Sequence, residues 1–377
     1  MMKVHELETD IKLTNNDKKK LKDKMHKFKS FSKEKTKKIC KLCKNEVQGF
    51  ANSHTIPQSV LKRLTVNGKL YDMNTILNTD YAKKVKGIKE SETFNCICDK
   101  CENLFSEYEN GDLWVKLNDN SLRDRVLLEI KVKNILQKIN IREELLRLYN
   151  GGLKELEVNR LLLNNYVLRE QNEVKIIEAQ GFKKLNEIDF VDWNNELNHY
   201  RKFLINKNSN CKGLFVIKYM KKLDYVLPIA LQEDEYYMHD TKWCPLNDVY
   251  DLKQSHKIKA LSVCIFPQEN STLILMFVEN NCRTYNDLIL QFDKMSLEEQ
   301  LKWLTFYTFS YTQGYCLSNK VDISHLEGIK RVCTINENLV IGPYETERKI
   351  DIQINNRKRI FDMGFENVFS KEFRLDA

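Results

Sequence analysis

Two C-x-x-C pairs are the part of this chain whose residue types and spacing point most directly to chemistry. They are Cys40/Cys43 and Cys98/Cys101. Thiolates at this spacing bind Zn²⁺ at about 2.3 Å per sulfur, and two pairs complete a tetrahedral site. Free cysteines also pack as small apolar side chains, but lysine and aspartate lie within the pairs, which favours the metal. We therefore predict a structural zinc ion that ties together the two ends of the intervening segment.

A histidine lies between the two pairs, in the run Ala51–Pro57. With an unperturbed pKa of about 6.5, the imidazole of His54 can take a proton from water at neutral pH. Hydrolysis of a phosphodiester also needs positive charge on the phosphate, which a divalent cation supplies. An isolated histidine is more often structural, so the chemistry depends on the frame around it. Within the zinc frame, His54 is our candidate general base.

The motif Ser53-His54-x-Ile56-Pro57 between the cysteine pairs, with Cys98–Asn103 opening a helix, resembles the zinc-containing branch of the HNH (ββα-metal) endonuclease family. The resemblance covers roughly residues 38 to 111. It implies a zinc-clamped ββα-metal module in which His54 is the general base and Mg²⁺ or Mn²⁺ is the catalytic cation. It also implies hydrolysis of phosphodiester bonds, with DNA as the expected substrate. Many similar chains come from bacterial defence loci, so anti-phage defence is an expectation by analogy.

The ligands of the catalytic cation are where the chain departs from the family pattern. HNH enzymes commonly carry Asp, Glu or His just before the base, whereas this chain has Ser53. They also commonly carry His, Asn or Asp on the helix after the second C-x-x-C pair, but this chain has no histidine between His54 and His199. We expect Asn103 and Glu102 to act with His54 in catalysis. Three further candidates for cation-binding residues are Ser53, Glu109 and Asn95.

A shared helix face is the basis for choosing the carboxylates. Glu102, Ser106 and Glu109 stand at positions i, i+4 and i+7, so they share one face if the segment is a continuous helix. Their hard oxygen atoms suit Mg²⁺ or Mn²⁺ better than zinc. The alternative is a solvated polar face opposite the apolar residues of the same helix. If no acidic ligand reaches the cation site, the module is a degenerate HNH that binds nucleic acid without cleaving it.

Length and composition indicate a cytoplasmic, multidomain protein. A chain of 377 residues usually forms two or three domains. The lysine-rich N-terminus has no apolar core, so we expect no secretory signal, and the eleven cysteines are expected to be reduced thiols. Among them, Cys96 is expected to be a core thiol. The longest apolar run, Leu273–Val278, is too short to span a membrane.

The net charge of +8 is concentrated in one stretch. Residues 12 to 38 hold twelve lysines against three acidic residues, which is +9 from this stretch alone. Such an arm can neutralise phosphates in a sequence-independent and salt-sensitive way. The alternative is a solvated helix whose charges only keep it soluble. Its position directly before Cys40 favours nucleic acid as the partner.

The pattern of the remaining chain predicts an α+β fold. Helical periodicity after the zinc segment predicts a helical stretch, one helix of which should end at Gly151-Gly152. Ser296 and Glu299 form a capping box that predicts the start of a C-terminal helix. Four β-rich runs are predicted to form an antiparallel sheet, at 213–219, 225–231, 260–266 and 272–278. The predicted parts are an arm (1–37), the zinc-clamped HNH module (38–111), a helical segment (112–200) and an antiparallel β-rich domain with C-terminal helices (201–377).

Two functions from different classes fit these observations. The first is a metal-dependent HNH endonuclease, with a regulatory protein as a further expected partner. The second is a non-catalytic zinc module, a degenerate HNH, that binds nucleic acid or a protein. The environment of His54 discriminates between them, because a catalytic histidine needs an open, oxygen-lined metal site, whereas a structural one is buried and hydrogen-bonded.

Overall fold

The structure of the protein is a computed structural model, which describes residues 38–72, 76, 85–162, 166–206, 210–248, 258–312, 314–335 and 346–375. The predicted lysine-rich arm, 1–37, lies outside the described residues. The chain folds into two compact units. The first comprises Met1–Ser53, Phe94–Asn103 and Ile135–Ser209, and the second comprises His54–Thr93, Leu104–Asn134 and Asn210–Ala377. The predicted domain boundaries at 37, 111 and 200 stay predictions.

Strands and helices alternate irregularly along the described chain, which agrees with the predicted α+β class. The strands are β1 Ser53–His54, β2 Lys69–Tyr71, β3 Lys86–Gly87, β4 Thr93–Phe94, β5 Phe215–Leu223, β6 Ile229–Glu235, β7 Leu261–Pro267, β8 Thr272–Glu279 and β9 Tyr315–Ser318. The helices are α1 Gln58–Leu64, α2 Asp99–Glu102, α3 Ser106–Glu109, α4 Leu113–Asn118, α5 Arg123–Leu162, α6 Tyr166–Ile205, α7 Asn286–Asp293, α8 Leu297–Tyr311, α9 Glu327–Thr334 and α10 Thr346–Asp362.

Two 40-residue helices, α5 and α6, dominate the first unit, which takes the C-terminal part of α5 from Ile135 onward. Tyr149 stacks on Phe182 at 6.2 Å between ring centroids. The guanidinium of Arg142 lies 3.0 Å from the carboxylate of Asp189. From the first of these contacts to the second, the residue number falls in α5 and rises in α6, so the two helices run antiparallel.

The predicted end of a helix at Gly151-Gly152 is wrong, because α5 continues through both glycines to Leu162. A glycine inside a helix costs about 1 kcal/mol relative to alanine. Packing against a neighbouring helix can exceed this cost, because most helical stability in proteins comes from tertiary contacts. The glycine pair therefore lowers the local stability of α5 without ending it.

The second unit is built on a seven-stranded sheet with the strand order β3-β2-β9-β6-β7-β8-β5. Each adjacent pair is antiparallel, as the sequence predicts for the four strands β5 to β8. The four predicted β-rich runs correspond to β5, β6, β7 and β8. The first two observed strands begin and end further along the chain than predicted. Every residue of β7 is buried, which explains why its sequence is apolar throughout instead of alternating.

Helices cover this sheet, and one of them begins as predicted. The Ser296 hydroxyl accepts the backbone N–H of Glu299, and the Glu299 carboxylate accepts the N–H of Ser296. This capping box starts α8, whose buried face includes Leu301 and Leu304. The two 40-residue helices are the longest in the described chain, but neither they nor any other helix there has an apolar stretch sufficient to cross a membrane.

Candidate zinc centre and histidine site

The four predicted cysteines converge in the first unit. The sulfur atoms of Cys40, Cys43, Cys98 and Cys101 all lie within 4.8 Å of one another. Cys43 Sγ and Cys98 Sγ are 3.9 Å apart. Four sulfurs at zinc–sulfur distances of about 2.3 Å would be about 3.8 Å apart in a regular tetrahedron. The donor set and its spacing therefore fit a structural zinc ion.

A tight turn shapes the first cysteine pair. The backbone N–H of Lys44 donates to Cys40 O at 2.9 Å, and Lys44 adopts a positive φ of 65°. The N–H of Cys98 points at Cys40 Sγ at 3.4 Å. Burial raises the pKa of Cys40, but backbone N–H groups from Cys43, Cys98 and Leu42 outweigh it and bring the pKa to about 7. The fold thus favours a thiolate, which is the form that binds metal.

The second pair lies at the start of α2. Cys101 N–H donates to Cys98 O at 2.9 Å, and Cys101 is buried. Burial and the neighbouring charge of Cys40 raise the pKa of Cys101, which is the repulsion that a bound cation would relieve. Cys96 stays outside the cluster: it is buried, and its sulfur faces Leu136 O at 3.8 Å.

His54 occupies the second position of β1 and is 8% exposed. Its Nε2 lies 3.0 Å from Ile88 O. A carbonyl oxygen can only accept, so Nε2 carries the proton and donates it. In the neutral ring, Nδ1 is then the basic nitrogen. The neighbouring residue Thr55 pairs by its N–H with Glu92 O at 2.9 Å, which holds the end of the strand.

Among the predicted cation ligands, Ser53 and Glu102 contact each other. Ser53 Oγ donates to Glu102 Oε2 at 2.5 Å, so these two are neighbours. Glu109 forms an ion pair with Lys133. Asn103 is exposed at the C-terminal cap of α2. Asn95 is also exposed, and its backbone N–H faces Asn140 Oδ1 at 3.3 Å.

The prediction of one continuous helix through Glu102, Ser106 and Glu109 is wrong. A 3₁₀ turn, Asn103–Phe105, separates α2 from α3. The rotation per residue differs between the two helix types, so the assumed alignment on one face is lost. Outside the four cysteines, no group of three histidine, cysteine, aspartate or glutamate side chains converges among the described residues.

A buried lysine near the histidine is a residue that sequence reasoning missed. Lys133 is fully buried, and its Nζ donates to His54 O at 3.0 Å and pairs with Glu109. The Tyr108 hydroxyl reaches Thr55 O and, at 2.8 Å, the Gln232 side chain. No sequence signal singled out Lys133, because Glu129, Lys131 and Asn134 are also polar residues of the same helical run.

Two glutamates outside the predicted set also lie together. The carboxylate oxygens of Glu92 and Glu233 each stand 3.1 Å from the point that a Cβ of Gly314 would occupy. Glu92 has a positive φ of 50°, an uncommon conformation for a side-chain-bearing residue. An acidic pair of this kind had no sequence signal, because Glu92 and Glu233 are far apart in the chain.

A positively charged surface lies on the first unit beside the cysteines. Burial lowers the pKa of Lys44, and the charges of Arg201 and Lys41 lower it further. Arg201 also lines a shallow concavity of about 440 Å³ at the end of α6, together with Lys202 and Asn206. Clustered cations on one face are an electrostatic feature of phosphate-binding surfaces.

Comparison with models of known protein families, with curated proteins and with solved structures finds no match. The candidate site is therefore supported by its own geometry, and the resemblance to HNH endonucleases stays a prediction.

Proposed function

We propose that the chain is a metal-dependent endonuclease of the HNH type that hydrolyses phosphodiester bonds in DNA and carries a structural zinc ion. The orientation of His54 is the observation that supports the proposal best. Its Nε2–H donates to Ile88 O, which leaves Nδ1 as the basic nitrogen. A neutral imidazole held in one tautomer is suited to remove a proton from water.

The zinc would act as a structural element. Cys40 and Cys43 precede β1, and Cys98 and Cys101 follow β4, so a metal on these four thiolates would join the two ends of the segment that contains both strands. A small segment with so few residues per strand cannot hold its shape through its own core. His54 lies within this segment, at the end of β1.

A catalytic cation is part of the proposal. Mg²⁺ or Mn²⁺, when bound, would stabilise the charge that develops on the phosphate. Glu102 and Glu109 are the carboxylates proposed to hold it, but they already contact Ser53 and Lys133. We therefore propose that these contacts rearrange when the cation and substrate bind.

Nucleic acid is the proposed partner, with a regulatory protein as a second. The lysine-rich stretch before Cys40 and the surface formed by Lys44, Arg201 and Lys202 would neutralise phosphates. A role in anti-phage defence in the cytoplasm is part of the same proposal and rests on the resemblance alone.

A second candidate function is a non-catalytic zinc module that binds nucleic acid or a protein. The burial of His54 favours it, because a side chain that is only 8% exposed and hydrogen-bonded has the character of a structural residue. The engagement of Glu102 and Glu109 by neighbouring side chains favours it as well.

Replacement of the histidine separates the two functions. We expect His54→Ala to reduce Mg²⁺- or Mn²⁺-dependent cleavage of DNA by about 10² to 10⁴ in rate. Zinc content and DNA affinity should stay at the wild-type level, because the cysteines and the basic residues are unchanged. His325→Ala is the matched control, since the His325 side chain is 83% exposed on the second unit.

The outcomes assign the function. Loss of cleavage in His54→Ala alone, with DNA binding intact, supports the endonuclease. A wild-type protein that binds DNA but cuts neither DNA nor RNA across a range of Mg²⁺ and Mn²⁺ concentrations supports the binding module. Cleavage that survives His54→Ala would remove His54 from the mechanism.

A further inference from the structure

A buried arginine in the second unit lacks the partner that its charge requires. Arg357 on α10 is 2% exposed. Its Nη1 donates to Gln353 Oε1 at 2.9 Å, and its Nη2 faces Ser310 O at 3.5 Å. Nε has no hydrogen-bond partner. Among the described residues, no aspartate or glutamate forms an ion pair with Arg357.

Two further buried polar groups beside Arg357 are also unsatisfied. Ser310 Oγ and His239 Nε2 each lack a hydrogen-bond partner, and both residues are fully buried. The Cζ atom of Arg357 lies 4.5 Å from the ring centroid of Tyr311, and the His239 ring lies 5.8 Å from the same centroid. Arg357 and His239 therefore both lie against the Tyr311 ring, and Ser310 is the residue before Tyr311 in α8.

The hydrogen-bonding character of His239 follows from its other nitrogen. Nδ1 lies 2.8 Å from Asp240 O, so Nδ1 carries the proton and donates it. Burial lowers the pKa of His239 to about 4, and the charge of Arg357 acts in the same direction. The ring is neutral at physiological pH, and Nε2 presents a lone pair that needs a donor.

The neighbouring backbone is strained as well. Trp243 packs on His239 at 4.4 Å between ring centroids, and its φ of 67° lies in the left-handed region. For a bulky side chain this conformation is a genuine outlier, and such strain concentrates at ligand-binding sites. Trp243 and Tyr311 are both partly exposed, so the unsatisfied groups lie directly beneath the surface.

Leaving these buried polar groups unsatisfied costs free energy, which indicates that a ligand satisfies them. A buried polar atom without a partner costs about 1 to 3 kcal/mol, and a charged group costs more. Water could satisfy each atom singly, but it would not neutralise the guanidinium. A ligand that satisfies all of them must carry a negative charge for Arg357, an acceptor for Ser310 and a donor for His239.

We propose that Arg357, Ser310 and His239, called here the Arg357 cluster, bind a protonated tetrahedral oxyanion, namely inorganic phosphate or the terminal phosphate of a monoester. Its oxygens accept from Arg357 Nε and Ser310 Oγ, and its P–O–H donates to His239 Nε2. A carboxylate or sulfate lacks that hydroxyl, and the diester backbone of DNA lacks it too. The site is therefore distinct from the proposed nuclease substrate and does not depend on the proposed function.

Isothermal titration and thermal unfolding of the full zinc-loaded chain test the proposal, with inorganic phosphate, sulfate and AMP as probes. At pH 6.5 we expect saturable phosphate binding and a rise in Tm of about 5 °C when phosphate exceeds Kd about 100-fold. Sulfate should bind at least tenfold more weakly. AMP binding more tightly than phosphate identifies a monoester as the natural ligand, and the reverse order identifies free phosphate.

Two variants locate the binding. Arg357→Met should abolish the response to phosphate and should be at least as stable as wild type without ligand, because an apolar side chain replaces an unpaired buried charge. His239→Phe should remove the preference for phosphate over sulfate. If Arg357→Met does not fold, the loss of selectivity in His239→Phe decides the matter.

The surface pair Lys358→Gln and Lys371→Gln serves as the control for charge, since both side chains are exposed. The proposal is overturned if wild type shows no saturable heat and no rise in Tm with phosphate or AMP beyond that with sulfate. It is also overturned if Arg357→Met folds and still responds to phosphate like wild type.

Discussion

At the scale of single residues, the most informative side chain is Lys133. It is fully buried, and its ammonium group lies 4.9 Å from the ring centroid of Phe105 while it contacts His54 O and Glu109. A buried ammonium is tolerated only when it is paired and hydrogen-bonded. Lys133 thereby fixes the backbone of the residue that we propose as the general base, which makes it a candidate positioning residue.

We expect Lys133→Met to lower the free energy of unfolding by about 3 kcal/mol, because one partner of a buried ion pair is removed. Urea unfolding of the zinc-loaded chain measures this. Lys183→Met is the matched control, since its pair with Glu187 is a solvent-exposed i, i+4 pair that contributes about 0.5 kcal/mol or less. Equal losses in the two variants would show that Lys133 has no special structural role.

His239 gives a pH dependence with a defined sign. Burial lowers its folded-state pKa to about 4 from about 6.5 in the unfolded chain. The unfolded state therefore binds the proton first, and stability is lost as pH falls from about 6.5 toward 4. Between pH 7 and pH 5 we expect wild type to lose about 2 kcal/mol more than His239→Phe, measured by urea unfolding at both pH values.

The contribution of Glu129 to stability changes with pH in the opposite direction. Glu129 is present in both wild type and His239→Phe. Burial raises its pKa to about 7, against the N–H of Tyr108 and the charge of Arg125. Its contribution is present below about pH 4.5 and is lost as pH rises through 7. It cancels in the difference between wild type and variant, so an identical pH profile in the two would contradict the role assigned to His239.

At the scale of elements, α5 shows how tertiary packing overrides a local stop signal. The helix continues through Gly151 and Gly152, and residues that precede the pair contact α6: Arg142 pairs with Asp189, and Tyr149 stacks on Phe182. A Cβ added at Gly152 would meet no atom within 4 Å. The glycine is therefore a local weakness and not a packing requirement.

We expect Gly152→Ala to raise the free energy of unfolding by about 1 kcal/mol, since alanine restricts the unfolded chain and fits the helical conformation. Thermal unfolding followed by far-UV circular dichroism measures the change. Gly364→Ala is the control of opposite sign, because Gly364 has a φ of 80° that alanine adopts only with strain. A loss of stability in Gly152→Ala would mean that the helix is distorted at this residue.

At the scale of the whole molecule, the two units differ in the interactions that can stabilise each of them internally. The second has an extensive apolar core around its seven-stranded sheet. The first combines a helical hairpin with a cysteine cluster that fits zinc. Metal binding and folding are coupled in small zinc modules, so the two units should respond differently to removal of the metal.

We expect about one zinc per chain on elemental analysis. Chelation should raise hydrogen exchange in peptides from 38–53 and 94–103, while peptides from β5 to β8 stay protected. Cys101→Ser should reproduce the effect, and Cys244→Ser, at an exposed cysteine outside the cluster, should not. Protein without zinc that was never exposed to chelator would contradict the site. Loss of protection in β7 would show that the units do not fold independently.

Local patterns in the sequence were sufficient for several features. The cysteine spacing predicted the cluster, the β-rich runs predicted β5 to β8, and Ser296 with Glu299 predicted the start of α8. Each of these depends on residues that are close in sequence: ligand pairs separated by two residues, β-rich runs of seven residues, and a cap spanning one turn. Features that depend on such short-range interactions can therefore be predicted from the sequence alone.

Other features were decided only by the tertiary structure. The strands β2, β3 and β9 have two to four residues, too few for a period-2 pattern, and they form because a sheet edge is there to pair with. The partners of Glu102 and Glu109, the burial of Lys133 and the unsatisfied groups around Arg357 depend on residues brought together from distant parts of the chain. Local propensity cannot predict such partners, because the free energy of a buried polar group depends on which distant groups the fold places beside it.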